Sequence, residues 1–253
     1  ACLDTMELAH DLGLIVSTNT QINQLNMGEL EELAALFEAH HARAWQVQLT
    51  VPMGRAADRP DWIVQPWMVL EIVDRLAAIQ RDAAQRGSPF EVFAGNNIGY
   101  FGPHEAILRS RPGKRANHWN GCRAGMQVLG IEADGVVKPC PSLPTAPYTG
   151  GNVKDRRLQE IWDSAPPMAF ARDRGLEELW GRCEGCYYAE TCRGGCSFTA
   201  HATLGRRGNN PFCWYRADQL RREGLRERLV QVESAPGLPF DFGRFELSEE
   251  PWP

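Results

Sequence analysis

The 253-residue sequence contains no apolar run approaching a membrane span and no segment built like a secretory signal. It has no excess of positive charge, since 27 Lys and Arg stand against 32 Asp and Glu for a net charge of −5. It has no internal repeat, and it opens on Ala1-Cys2-Leu3 rather than on methionine. Each absence narrows the reading. The first two argue against a membrane partner and against a secreted disulfide framework. The expected compartment is therefore the reducing cytoplasm, where clustered thiols serve as metal ligands. The acidic balance argues against a general nucleic-acid binder, although Arg109, Arg111, Lys114 and Arg115 form a local basic patch. The missing repeat excludes a solenoid. An opening directly into a helical pattern (Leu3, Met6, Leu8) reads as the interior of a longer protein, and truncation is the expectation.

What remains is ordinary in bulk. Hydrophobic residues make up 43% and charged residues 23%, enough for one large or two modest domains. The first hundred residues alternate. A helix over 3–12 closes at Gly13, and Leu14 to Thr18 form a short β-branched strand. Residues 19–26 read as polar loop, and Leu30, Leu33, Ala34 and Phe37 give a helix over 28–42. Trp45, Val47, Leu49 and Val51 alternate along a second strand that Pro52 ends. Pro66 starts a helix running to about Arg86, and residues 90–94 make a third strand. Such α/β alternation implies parallel strands with crossover helices, and ligands then sit at the strands' carboxyl ends. That places Asn19, Thr20, Gly54, Arg55 and Gly95-Asn96-Asn97 at a candidate rim, unless they are ordinary turn residues. Gln48 is a lesser candidate on the polar strand face.

After residue 95 the texture changes to Pro, Gly and Arg, and a boundary is expected between 95 and 120. Val128 to Val137, with Asp134-Gly135 at its tip, reads as a β-hairpin. Short helices are expected near 158–162 and 168–174, and an Arg-rich helix over 214–231. The residues from Ser234 onward are expected to lie extended on the surface or without structure. The many aromatics, among them Trp45, Trp62, Trp67, Tyr100, Phe101 and Trp119, are expected in the core rather than in a peptide groove.

The cysteines carry the chemistry. Cys183, Cys186, Cys192 and Cys196 fall within fourteen residues, with Cys122 and Cys140 upstream and Cys213 downstream. Thiols at that density converge on a small volume that suits a soft metal centre. Closing the hairpin brings Cys122 and Cys140 to the same end. Gly194 and Gly195 favour a non-helical turn between Cys192 and Cys196, leaving N–H groups free to point at sulfur. Seven ligands divide as four plus three. They suit two zinc sites completed by an eighth ligand such as His118 or His201, or two iron–sulfur clusters with one iron open. Cys2 stands apart and reads as a small buried hydrophobe.

The order Cys122, Gly135, Cys140, Cys183, Cys186, Cys192, Cys196, Cys213, with Cys-Arg-Gly-Gly-Cys at 192–196 and Asn-Pro-Phe-Cys at 210–213, resembles the seven-cysteine motif of SPASM domains. These are the auxiliary-cluster domains of radical SAM enzymes. Residues 13–26 and 45–56, the second ending in Pro-Met-Gly-Arg-Ala, are similar to the last strands of a radical SAM barrel. The resemblance implies the C-terminal half of a partial (β/α)6 barrel followed by a small cysteine-rich α+β SPASM domain with a β-hairpin. It divides the chain into a barrel segment over 1–95, a linker over 96–118, the SPASM domain over 119–232 and a tail over 233–253. By the same resemblance Cys122, Cys140 and Cys196 hold a first auxiliary cluster, and Cys183, Cys186, Cys192 and Cys213 a second. Gly125 to Val128 contain no further cysteine, so one iron of the first cluster is expected to lack a thiolate.

The family's Cys-x-x-x-Cys-x-x-Cys triad is absent. In the full-length enzyme it would hold a third 4Fe-4S cluster that cleaves S-adenosylmethionine, with Asn19, Gln48 and Arg55 near that cofactor or the substrate. The resemblance implies radical hydrogen abstraction from a ribosomal peptide or protein side chain, and an electron donor such as flavodoxin or ferredoxin. The alternatives are a non-catalytic zinc- or cluster-binding interaction module, or the auxiliary-cluster half of a split enzyme.

Overall fold

In the computed structural model, which describes residues 1–110, 116–238 and 241–253, the chain begins with helix α1 (Cys2–Asp11) and strand β1 (Val16–Ile22). Helix α2 (Leu30–Ala39), strand β2 (Ala42–Leu49), helix α3 (Val69–Gln85) and strand β3 (Glu91–Ala94) follow. The three strands are parallel in the order β1-β2-β3. Of the basic patch, Arg111, Lys114 and Arg115 lie outside the described residues.

Strand β1 differs from its expected position. It starts at Val16 and continues through Asn19 and Gln21 to Ile22, where a polar loop is expected from the sequence. Backbone pairing with β2, from Val16↔Ala42 to Ile22↔Leu49, carries it through polar residues. Leu14 and Ile15 are left exposed ahead of the strand. The apolar sheet face carries Trp45, Val47 and Leu49, all fully buried, and α3 adds Ile72, Leu76 and Ala77 to the same core. The other face is polar, and in register it pairs Asn19 with Gln46 and Gln21 with Gln48. Alternation along each strand thus puts the core on one side and a polar wall on the other. Cys2 is exposed, not buried, because only the Met6 side of α1 meets the core.

Past α4 (Glu105–Arg109), the expected hairpin forms from β4 (Gly130–Ile131) and β5 (Val136–Lys138), shorter than its apolar run. A third strand, β6 (Gly151–Asn152), pairs with β5 after α5 (Thr145–Tyr148). Helices α6 (Leu158–Ser164), α7 (Pro166–Asp173), α8 (Ala189–Cys192) and α9 (Ser197–Leu204) then frame the cysteines.

The end of the chain corrects the sequence reading. The expected helix over 214–231 stops as α10 (Trp214–Arg222), turns at Gly224 (φ +74°), and continues as strand β7 (Leu225–Glu233). Of the residues past Ser234, Arg244–Pro251 form β8, antiparallel to β7, which meets the expectation of an extended segment and not that of one without structure. Alternation decides it. Leu229 on β7 pairs with Leu247, and Phe245 beside them is buried in the same core as β2 and α3. Gln65 fastens this hairpin to the first half, accepting from the Leu229 N–H at 2.8 Å. No helix among the described residues is long and apolar enough to cross a membrane.

Candidate metal centre

Local backbone geometry builds the thiol sites. Helix α8 ends at Cys192, and the next three residues all have left-handed φ: Arg193 at 53°, Gly194 at 77° and Gly195 at 73°. Glycine is required at 195, where a Cβ would stand 2.8 Å from the Tyr100 ring. This turn delivers Cys196 to the N-cap of α9, and Cys213 occupies the N-cap of α10. Both thiols therefore face the positive end of a helix, which favours thiolate.

The seven thiols fall into two sets. Cys183, Cys186, Cys192 and Cys213 line one cavity together with Tyr100, Asn210 and Arg216. Cys140 and Cys196 line another, of about 420 Å³, with Gln21, Gln48, Asn96, Asn97, Ser142 and Thr199. Cys122 packs with Cys140 on the cluster of Ala124, Leu143, Tyr148 and Phe170. The electrostatics divide the same way. Burial pushes the Cys192 thiol up to about 12, with Cys183 and Cys186 adding to it. Burial pushes Cys196 up to about 11, with Cys122 and then Cys140 adding to it. Cys213 is held well above the ordinary thiol range by burial, then by Cys192 and Cys183. Burial thus favours the protonated form of Cys192, Cys196 and Cys213, and a metal bound by these thiols would displace the protons.

Against that burial stand donors aimed at sulfur. Backbone N–H groups reach Cys140 from Ser142 and Leu143, Cys183 from Asn210, Cys192 from Gly195, Cys196 from Thr199 and Cys213 from Arg216. The Tyr188 N–H lies 3.4 Å from Cys186 Sγ. Two buried side-chain donors, Trp119 Nε1 and Thr199 Oγ1, have no oxygen or nitrogen partner, and each lies beside a thiol, Cys192 and Cys196 respectively. Among the described residues no three His, Cys, Asp or Glu side chains close on a point fit for one metal ion. The thiols instead surround shared space with N–H groups turned inward, a donor set that fits anionic iron–sulfur clusters.

Tyr100 stands between the sets. Its hydroxyl donates to Asn96 O at 2.6 Å and accepts from the Cys196 N–H and from Asn210 Nδ2, both at 3.1 Å. Its ring packs with Trp119 and Cys192, and its carbonyl lies 3.8 Å from Cys213 Sγ. Burial holds its phenol well above the ordinary range, with Cys196 the next cause.

The other candidate residues are spread over three cavities. Asn19 lines one of about 380 Å³ with Gln46, Phe93 and Asn96. Gln48 lines the cavity of Cys140 and Cys196. Arg55 lines a third, of about 1110 Å³, with Met53, Glu132, Lys138, Ser142 and Phe198. Gln21 links the first two, its Nε2 3.3 Å from both Asn19 Oδ1 and Gln48 Oε1. Thr20 accepts from Trp45 Nε1 at 2.9 Å, which makes it a packing residue. His118 Nδ1 donates to Trp119 O, His201 Nδ1 bonds the Tyr148 hydroxyl, and neither histidine lines a thiol cavity. The sequence reading missed Gln21 because it fell in the expected loop. It also missed Arg174 and Arg216, whose burial no local pattern announces.

Residues 122–187 match the family model SPASM, described as an iron–sulfur cluster-binding domain. Over these residues the chain carries a SPASM domain, and the chain is similar to radical SAM enzymes that carry one. An AdoMet-dependent heme synthase of Methanosarcina barkeri is 27% identical in an alignment of 210 residues that covers 78% of this chain and 55% of that one. The mycofactocin maturase MftC of Mycobacterium ulcerans is 28% identical over 195 residues, 76% of this chain and 48% of the relative. This SPASM chain therefore spans about half the length of the curated relatives it matches. The solved structure of native anSMEcpe with bound AdoMet superposes with a TM-score of 0.62 at 15% identity, covering 85% of this chain and 56% of that one. The same protein is also solved with AdoMet and a Cp18Cys peptide, with a TM-score of 0.57 at 16% identity over 85% and 57% of the two chains. At such identities the likeness shows a shared fold.

Proposed function

We propose that this chain is the auxiliary-cluster portion of a radical SAM maturase and holds two iron–sulfur clusters. Cys122, Cys140 and Cys196 hold the first, with one iron free of thiolate, and Cys183, Cys186, Cys192 and Cys213 hold the second. The observation that carries the reading is the division of buried thiols between two cavities, each supplied with N–H donors. Clusters of this kind accept and pass single electrons. The chain's own residues exclude water, deliver N–H groups to sulfur, and, through Tyr100, tie the Cys196 loop to the wall of the second cavity. These 253 residues contain no Cys-x-x-x-Cys-x-x-Cys triad. Asn19, Gln48 and Arg55 are the candidates for contact with S-adenosylmethionine or substrate, and a flavodoxin or ferredoxin supplies electrons.

A peptide or protein side chain is the proposed substrate. Support comes from the maturase relative and from the peptide-bound neighbour of the same fold. The cavity of about 1110 Å³ beside Arg55 and Lys138 opens next to the first thiol set, sharing Ser142 and Phe198 with it. The heme synthase relative favours a second reading, a tetrapyrrole carboxylate in that same space. Anaerobic reconstitution followed by iron and sulfide analysis tests the clusters. Iron and sulfide in equal amounts sufficient for two clusters are expected, and a colourless zinc protein would refute the reading. Mössbauer spectra should show one distinct iron, assigned by its loss in Cys122→Ala. Titrating the loaded chain with a cysteine-containing peptide and with a porphyrin carboxylate separates the two substrate classes.

A further inference from the structure

Each thiol set has one buried arginine, and the two arginines are not equivalent. Arg216, 7% exposed, lines the four-thiol cavity and forms an ion pair with Glu227, which is 4% exposed. Arg182, on the same cavity wall, pairs with Glu249 at 2.8 Å and Glu223 at 3.3 Å. The cations around the four thiols are therefore already neutralised by carboxylates.

Arg174 has no such partner. It is 5% exposed, and among the described residues it forms no ion pair. Its Nη1 reaches the hydroxyl of Ser197, next in sequence to Cys196, at 3.5 Å. Its guanidinium lies 5.9 Å from the centre of the Phe170 ring, which packs in the cluster with Cys122 and Cys140. Its Nε is buried with no hydrogen-bond partner. Burial lowers its pKa from the ordinary arginine value, and Cys122 is the largest influence opposing that. The other charges facing it are Glu178, Arg207 and Arg193. Glu178 is engaged by Arg207 at 2.7 and 2.8 Å, and Arg193 donates to the Arg174 carbonyl at 2.7 Å. An uncompensated buried guanidinium is costly, so the anion it awaits must come from the thiol side.

We propose that Arg174 is the counter-ion of the three-thiol site and holds its cluster at a higher reduction potential than the cluster of the four-thiol site. This rests on the two-cluster reading above. A fixed positive charge stabilises the more negative, reduced state of a cluster, and net charge is one of the main settings of cluster potential. Three thiolates beside an unpaired cation carry less negative charge than four thiolates beside neutral ion pairs. An electron entering the domain therefore rests on the first cluster.

The test is an EPR-monitored redox titration of the reconstituted chain, wild type against Arg174→Gln, Arg174→Lys and Glu178→Gln, with iron and sulfide measured on each sample. Two potentials are expected in the wild type. In Arg174→Gln the higher one moves to more negative values and the lower one moves far less. Arg174→Lys, which keeps the charge, stays near wild type. Glu178→Gln removes a negative charge and moves the same potential the opposite way, an arm that stands even if Arg174→Gln loads poorly. Full loading with neither potential shifted, with both shifted equally, or with the lower one shifted overturns the role of Arg174 alone. Iron sufficient for only one cluster overturns the two-cluster reading and this inference with it.

Discussion

The strand–helix half and the cysteine-rich half are held together by different means. Residues 16–94 share one apolar core in which Trp45, Leu49, Ile72 and Leu76 are fully buried. Among the described residues, 122–210 carry smaller separate clusters, among them one around Phe170 and Tyr148 and another around Val137, Ile161 and Met168. Buried polar groups stand among them, including Lys138, Arg174, Thr199, Asn209 and Asn210. Apolar burial stabilises the first half without help from a ligand. The second half has smaller apolar clusters, so bound metal is expected to carry more of its stability and to couple to its folding.

Removing the metal breaks the comparison open and gives the largest expected effect. Chelation of the loaded chain under anaerobic conditions should abolish amide-exchange protection across 122–210. Protection in α3 and in β1–β3 should survive. Uniform loss in both halves would mean that the two share one cooperative unit. The second effect in size belongs to Glu227→Gln. It leaves the Arg216 guanidinium buried without its partner, which typically costs about 3–5 kcal/mol. Chemical denaturation of the loaded protein reads it. A cost near zero would mean that the four thiolates already suffice to balance Arg216.

Leu76→Ala probes the other half. The side chain is fully buried, and such truncations cost about 2–5 kcal/mol with the loss confined to packing. The unfolding midpoint should fall while the cluster absorption of the native protein stays unchanged. A changed spectrum would mean that the α/β core and the thiol sites are mechanically coupled.

The same contrast decides what could be read from the sequence. Periodicity found α2, α3 and the buried face of β2, because Trp45, Val47 and Leu49 alternate and apolar burial is what forms that half. It failed where hydrogen bonding outranks hydropathy, as in β1, where Asn19 and Gln21 continue the strand because β2 pairs with them. It failed again at Leu225 and Leu229, whose spacing of four suits a helix. Gly224 turns the chain there, and β8 offers a partner for a strand. The density of the seven cysteines marks them in the sequence as candidate ligands. Their burial, the N–H groups at each sulfur and the unpaired Arg174 were not legible there, since all three depend on segments far apart in sequence.

The smallest predicted effect concerns acid. His201 is 8% exposed, with its ring edge-on to Tyr148 and Phe242 and its Nδ1 3.1 Å from the Tyr148 hydroxyl. Burial, and after it the Arg207 charge, lowers its pKa below 6.5. Above pH 6.5 the ring is neutral folded or unfolded and contributes no pH dependence. As pH falls below 6.5 the unfolded chain takes up a proton that the fold refuses, so stability declines until the lowered folded pKa is reached. The Glu178 carboxyl, held low by its bonds to Arg207, begins to contribute only below its ordinary value of 4.5. The window between pH 6.5 and 4.5 therefore separates His201 from the Glu178 carboxyl. Melting temperatures of the wild type should fall across it, and His201→Phe, which keeps the ring and cannot take the proton, should flatten the decline. An identical slope in the two proteins would move the acid sensitivity of the cysteine-rich half away from this side chain and onto the thiol sites.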